Sequence, residues 1–452
     1  MKNGKSFLTV VTIILVVFLA VTVYGLYATS GKLNQNSSTV VDLDEDNLLN
    51  AENPQTDNEN AEYLSGGTEA AEDTASDSSN ADMENANELS SAETLNEETT
   101  EEQEEEDSMF SNRDLKQEVD FSDATVLSLA VGEDTYITAE GTYIISGDVS
   151  ETSIIVDAAE AKVQLVLNGV NITNTDSAAI YVKNADKVFV TTSEGTQNTL
   201  TVNGVFAADG ENNVDGVIYS KDDLTLNGLG YLTINSTANG VACKDELKIT
   251  GGNYTVNSLE DAFEANDAIM VCDGIFTIDS SKDGLNAGND EDSSIGYVYI
   301  SGGTFDINAS RQGIQATTTV TVDGGSLTIN AAEGIEATYI IINDGNIDIS
   351  ASDDGMNATS LSYYYDVMIE INGGNITIVM GSGDTDALDA NGSMVINGGY
   401  LDITATSSFD YDVSGTLNGG TVIVNGSQVY ELTPSMGGGH GGMGGGRGDR
   451  MW

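Results

Sequence analysis

The sequence predicts an all-β protein, a parallel β-helix (a solenoid of short strands), preceded by a transmembrane segment and a disordered acidic linker. Three observations carry this reading. From about Val214 to Val429 a glycine-turn unit recurs every 20 to 29 residues. Near the N-terminus the 22 residues Phe7 to Ala28 are uncharged and almost all apolar. Between Lys32 and Arg113 there is no Lys or Arg, while Asp and Glu recur throughout.

The apolar run comes first. Spanning a bilayer takes about 20 apolar residues, and Lys2 and Lys5 precede the run. Residues 1–28 are therefore a membrane anchor or a signal segment. Either one exports the rest of the chain, because the positive end stays inside. Residues 29–120 follow as a disordered linker. They show no hydrophobic periodicity, and their like charges repel and extend the chain. The bland role for such a segment is a spacer that lifts a domain off the membrane.

Residues 121–433 form the β-helix domain. Thr125 to Asn203 hold short alternating runs such as TYIISGDV and KVQLVLNGVNIT, which read as strands between turns. The later unit reads strand, small polar residue, Gly-Gly, strand, loop, then acidic-Gly-apolar-polar-Ala. Its copies are marked by Gly230, Gly252, Gly274, Gly303, Gly325, Gly345, Gly374, Gly399 and Gly420. Such a period of short strands and glycine turns means rungs that bury one another's apolar faces. Each rung should give two or three strands, stacked at about 4.8 Å.

Equivalent positions then form columns. One is Thr250, Cys272, Ser301, Asp323, Asn343, Asn372, Asn397 and Asn418, whose side chains can hydrogen-bond along the stack. Cys243 falls in the inward column of Ala265, Ala287, Ala316, Ala337, Ala358 and Ala390, as a core thiol. Residues 434–452 are a glycine-rich flexible tail holding the one histidine, His440.

Composition excludes several functions. Fifteen Lys and Arg against seventy-three Asp and Glu give a net charge of −58. Such a surface repels nucleic acid and anionic lipid and suits divalent cations. One histidine and two cysteines leave little room for a histidine-centred zinc site, a Ser-His-Asp triad or a disulfide framework.

The acidic motif is the constellation that could carry chemistry. Its copies pair Asp261 with Glu264, Asp283 with Asn286, Gln312 with Gln315, Glu333 with Glu336, Asp354 with Asn357, and Asp386 with Asp389. Asp410 and Asp412 form a weaker last copy. Carboxylates one rung apart repel unless something sits between them. Calcium fits, taking six to eight oxygens from carboxylates, amides and carbonyls. Gly284, Gly334 and Gly355 leave backbone carbonyls accessible nearby. The metal candidates are Asp261, Glu264, Asp283, Asn286, Glu333, Glu336, Asp354, Asn357, Asp386 and Asp389. Gln312 and Gln315 should split them into two clusters. The alternative is a solvated acidic face.

Two further groups lie beside this column. Lys282 and Arg311 occupy one position on neighbouring rungs, either compensating carboxylates or gripping a uronate carboxylate. Tyr363, Tyr364 and Tyr365 sit in an insertion after the Asp354 motif, and Gly288 to Tyr297 form a similar insertion after the Asp283 motif. Both should overhang the same face. Tyrosine rings there can stack on sugars or simply pack in the loop.

The stretch Ala139 to Val202, with GTYIISG, IIVDA, VQLVLNGVNI and AIYVKNADKV in order, resembles the opening region of the bacterial cellulose- and pectin-binding β-helix proteins. These are usually described as carbohydrate-binding domain-containing proteins. The resemblance runs from about Phe121 to the C-terminus. It implies a right-handed parallel β-helix, bound calcium, binding of acidic plant polysaccharide with cellulose as a second candidate polymer, and structural kinship with calcium-dependent pectate lyases without established lyase activity. Calcium binding carries over only to the acidic motif copies. Gln312 and Gln315 depart from the acidic pattern.

Together these readings give a non-catalytic, calcium-containing polysaccharide-binding protein at the cell surface, secreted if residues 1–28 are cleaved. Pectin or polygalacturonate is the expected polymer, with cellulose as a further possibility. Affinity should grow with polymer length as successive sugars meet successive rungs. One rival is a calcium-dependent polysaccharide lyase with Lys282 as base. Another is a structural or adhesive stalk.

Overall fold

The computed structural model describes residues 109–434, apart from 211, 290 and 384. The chain divides into two units, Met1–Leu89 and Ser90–Trp452, and every described residue belongs to the second. The apolar run, the linker up to residue 108 and the tail from residue 435 lie outside the described residues. No helix among the described residues is long and apolar enough to cross a membrane.

Every regular element here is a strand, because apolar and polar residues alternate over four to six positions. Ser326–Ala331 (SLTINA) and Thr304–Ala309 (TFDINA) bury every second side chain. A typical rung holds three strands, such as Gln312–Ala316, Thr319–Val322 and Ser326–Ala331. The last two are joined by Gly324-Gly325, with Gly325 at φ +97°. Side-chain-bearing residues rarely adopt that conformation, which is why the second glycine recurs. Each strand pairs in parallel with its counterpart one rung on, as Gln312 does with Glu333 and Leu327 with Ile347.

The strands of the acidic motif form a twelve-stranded sheet, and the other two strands of each rung share a twenty-two-stranded one. Inward columns fill the space between them. Ile278, Ile307, Ile329, Ile349, Ile378 and Ile403 stand in register, all nearly solvent-free. Burying each contributes about 1.5–3 kcal/mol. Phe276 stacks on Phe305 with centroids 4.4 Å apart and planes 4° apart. Cys243 is buried in register with Ala265.

The parallel stack begins well before Val214. Thr125 pairs with Tyr143, and Gly141 with Val163. These first rungs lack the Gly-Gly turn, so no repeat marks them in sequence. The stack closes with an antiparallel hairpin, Val422 opposite Val429. The polar turn column forms a hydrogen-bonded ladder. Asn343 donates to Asp323 at 2.7 Å, Asn372 to Asn343, Asn397 to Asn372 and Asn418 to Asn397, the last three at 2.8 Å.

Segment 109–120 differs from the expectation that the linker runs to residue 120. Residues 111–117 dock on the outer face of the larger sheet. The Asp114 carboxylate is only 1% exposed and meets Lys187 Nζ at 2.8 Å and Thr225 Oγ1 at 2.7 Å. Gln117 accepts the Gly228 amide at 2.8 Å and donates to the Thr250 carbonyl at 2.8 Å. Arg113 lies 4.5 Å above the Phe189 ring. The charged composition of the segment conceals this docking, because its anchors are hydrogen bonds and ion pairs.

Candidate functional site

The acidic motif lies on strands of the smaller sheet, in continuous register. Its fourth residues form one outward column: Ala242, Glu264, Asn286, Gln315, Glu336, Asn357, Asp389 and Asp410. Its first residues do something the sequence did not announce. Asp261, Asp283 and Asp354, and Asn239 one rung before them, each reach one rung on and accept a backbone amide hydrogen. Asn239 accepts from Asp261 at 2.9 Å, Asp261 Oδ1 from Asp283 at 3.0 Å, Asp283 Oδ1 from Gln312 at 2.9 Å, and Asp354 Oδ1 from Asp386 at 3.2 Å. A buried amide without an acceptor costs about 1–3 kcal/mol. These acceptors therefore recur for the sake of the turn, whatever else they do. Asn239-Gly240-Val241 carries the same pattern, with asparagine for the acid, and could have been found by it.

The glycines in the motif have a different reason from the one expected. A Cβ on Gly334 would stand 2.3 Å from the Gly355 carbonyl oxygen, and one on Gly284 2.5 Å from that of Gly313. The carbonyls of Gly284 and Gly355 are already taken, accepting from Phe263 at 3.1 Å and Ile335 at 3.2 Å. Close rung packing, rather than open carbonyls, calls for glycine there.

Most of the expected calcium ligands are engaged within the protein. Asp261 Oδ2 takes Lys282 Nζ and Asn286 Nδ2, both at 2.9 Å. Glu264 accepts from Asn239 at 2.5 Å and Lys244 at 3.0 Å. Gln312 does not separate two clusters; its Nε2 donates to Glu336 at 3.0 Å and ties them together. Asn357 donates to Glu333 at 3.4 Å, and Ser407 to Asp386. Asp389 stands in register between Asn357 and Asp410. Among the described residues, no three Asp, Glu, His or Cys side chains converge to hold an ion. Four expected or neighbouring oxygens are buried without a hydrogen-bond partner: Asp283 Oδ2, Asn286 Oδ1, Gln312 Oε1 and Asn357 Oδ1.

Burial governs the electrostatics of the column. It pushes Asp354 up to about 7, helped by Asp389, Asp353 and Glu333 against the Asp386 amide. It pushes Glu336 up to about 7, helped by Glu333 and Asp283. Burial and the Asp261 charge raise Asp283, against the Gln312 amide, Arg311 and Lys282. For Lys282, burial acts to lower the pKa. Its hydrogen bond to Asp261 and the charges of Asp261, Asp283 and Glu260 outweigh that and raise it.

Lys282, Asp283 and Asn286 line a cavity of about 620 Å³ together with Glu264, Arg311 and Tyr363. The size falls within the range of small-ligand sites. Arg311 stacks directly after Lys282, its amide donating to the Lys282 carbonyl at 3.0 Å. Both cations are balanced: Lys282 by Asp261 at 2.9 Å and Glu260 at 4.0 Å, Arg311 by Asp283 at 4.0 Å.

The two insertions touch each other, Ser362 Oγ donating to the Ser293 carbonyl at 2.5 Å. Gly288, Asn289, Glu291, Ser293 and Leu361 from these insertions also line the cavity. Of the three tyrosines, Tyr363 lines it and is 91% exposed as a residue; Tyr364 and Tyr365, also exposed, are not among its lining residues.

The family described as carbohydrate-binding domain-containing protein matches residues 131–384 and, in a second match, 333–410. A relative from Acetivibrio thermocellus with the same description is 43% identical over 130 residues, 28% of this chain and 46% of that protein. The match thus spans less than half of that relative. Among solved structures, the gadolinium derivative of the polysaccharide lyase-like protein from C. thermocellum is 25% identical. That comparison covers 67% of this chain and 94% of that one, at a TM-score of 0.31.

Proposed function

This chain belongs to the family of carbohydrate-binding domain-containing proteins, and on that premise we propose that the cavity between Glu264 and Tyr363 binds acidic polysaccharide, with calcium, and does not cleave it. One observation carries the reading. Two cations, Asp283 and Asn286 with one buried oxygen each that makes no hydrogen bond, and one exposed tyrosine residue line a single cavity.

Each group has a use toward a uronate chain. The Tyr363 ring covers a sugar face and keeps its hydroxyl in water. Lys282 and Arg311 meet sugar carboxylates. Because both are balanced by internal acids, direct attraction is modest and a divalent ion strengthens it. Asp283 Oδ2 and Asn286 Oδ1 fit that role, with further calcium oxygens supplied by sugar and water. The charge layout favours this position. Arg311 is the last basic residue before Arg447, and sixteen Asp and Glu lie between 312 and 434. A polyanion is repelled from those later rungs and finds cations only up to Arg311.

Grip is favoured over chemistry at Lys282. A proton-abstracting base must be deprotonated at working pH, and the acids around Lys282 hold its proton on. The apolar run Phe7 to Ala28 supports display at a cell surface. The test is binding of polygalacturonate and of cellulose to the full chain, with calcium and with chelator, while following absorbance of unsaturated uronide. Calcium-dependent retention without product supports the reading. Retention of neither polymer would leave the stalk, and sustained product lost in Lys282→Ala would make the protein a lyase.

A further inference from the structure

The two cations of the cavity are held in different ways. Lys282 Nζ donates to Asp261 Oδ2 at 2.9 Å. The same carboxylate takes Asn286 Nδ2 at 2.9 Å and, through Oδ1, the Asp283 amide at 3.0 Å. Asp261 is buried, so drawing Lys282 away would leave a buried charge short of its partner. Lys282 is therefore part of the turn. Arg311 has no such bond. Its Nη1 lies 4.0 Å from Asp283 Oδ2, beyond hydrogen-bond reach. Among the described residues its guanidinium makes no hydrogen bond. The next acids along, Glu333 and Glu336, take Asn357 at 3.4 Å and Gln312 at 3.0 Å instead. The Arg311 side chain is 55% exposed and lines the cavity.

Asp283 is the other half of this loose pair. Its side chain is 0% exposed, and Oδ2 makes no hydrogen bond. A buried carboxylate oxygen left in that state is costly. The guanidinium offsets the cost only through space, and less than a cation in contact with the oxygen would. Arg311 and such a cation compete for one oxygen.

We infer that Arg311 is the residue that grips a ligand carboxylate, and that a divalent ion on Asp283 Oδ2 releases it to do so. The inference rests on the acidic-glycan reading above and assigns the regulation of that site. With its charge met by the ion, Asp283 no longer attracts the guanidinium, and the ion repels it. The planar fork of Arg311 is then free for a carboxylate, which it binds through paired hydrogen bonds. The coupling is reciprocal: a uronate that draws Arg311 off Asp283 leaves Oδ2 more open to the ion. Lys282, tied to Asp261, takes no part in the exchange.

The experiment is calorimetric titration of the full chain with calcium, with and without saturating trigalacturonate, on the parent, Arg311→Gln, Arg311→Lys and Lys282→Gln. In the parent, the sugar should tighten calcium binding about tenfold. Arg311→Gln should tighten calcium several-fold without sugar, because the competing charge is gone. It should also lose most of the tightening by sugar, keeping only the part owed to sugar oxygens on the ion itself. Arg311→Lys should keep the parent's calcium affinity and lose the coupling, since an ammonium lacks the fork. Lys282→Gln should keep the coupling. Coupling that survives Arg311→Gln unchanged, or calcium binding that weakens in that variant, would overturn the role of Arg311 and leave glycan binding standing. A parent that does not bind trigalacturonate with calcium present would remove both.

Discussion

Asp283 uses its two carboxylate oxygens differently: Oδ1 accepts the Gln312 amide hydrogen at 2.9 Å, one rung on, while Oδ2 is buried without a hydrogen-bond partner. The two roles separate by mutation. Asp283→Asn keeps an acceptor for Gln312 and loses the charge. It should leave stability within about 1 kcal/mol and abolish calcium-dependent glycan retention. Asp283→Ala orphans the amide and should cost about 1–3 kcal/mol. Urea unfolding and calcium titration of both variants check this. Equal destabilisation by the two would show that the backbone role is absent.

Asp354 and Glu336 set a pH dependence. Both have folded-state pKa values of about 7, above those of free Asp and Glu. A raised acid pKa means the folded state binds protons more tightly than the unfolded state. Stability is then highest below the unfolded pKa and falls as pH rises through the folded one. Melting temperature should therefore drop between about pH 4 and pH 7. Asp354→Asn should flatten that slope. If calcium occupies the column, added calcium should restore stability at the upper end and do little at the lower. A melting curve that rises over this window would contradict the assignment.

The docked segment predicts a large single-residue effect. Lys187 is 12% exposed and its partner Asp114 1% exposed. Asp114→Ala leaves a nearly buried ammonium unpaired, which costs about 3–5 kcal/mol. Replacing both, with Lys187→Met, should recover most of the loss. Trypsin should cut after Arg113 or Lys116 in the single variant faster than in the parent. Unchanged stability and cleavage would mean that the segment does not dock.

Tyr363 should separate binding from folding. The residue is 91% exposed, so Tyr363→Ala should leave the melting temperature unchanged. If the ring covers a sugar, the loss should be about 0.5–1.5 kcal/mol, a several-fold weaker affinity. Tyr364→Ala, outside the cavity, is the control. Equal loss in both would point to a loop effect rather than stacking.

Gly334→Ala tests why the motif needs glycine. A Cβ 2.3 Å from the Gly355 carbonyl forces rungs apart, at about 1–3 kcal/mol or more. The same site is already alanine at Ala262 and Ala387, where the motif copies read Asp-Ala. Chemical denaturation of Gly334→Ala against Ala387→Gly measures the difference. A neutral Gly334→Ala would show that the stack can spread locally.

The stacking of this protein was legible in its sequence, because both of its signals are local and periodic. Alternation buries every second residue of SLTINA and TFDINA, and the second glycine of each pair marks a turn with positive φ. A fixed period then puts Asn343 beside Asn372 and Glu264 beside Asn286 without further information. What alternation cannot say is which oxygen of a side chain is already taken. Asp261 and Asp283 look alike in sequence. Only the folded stack shows the first fully hydrogen-bonded and the second with one oxygen left over. The walls of the cavity and the docking of Asp114 were likewise decided by tertiary structure. Asp114 meets Thr225 across 111 residues, and Ser362 meets Ser293 across 69. Such contacts depend on how insertions and termini fold back over a finished stack, and no period in the chain encodes them.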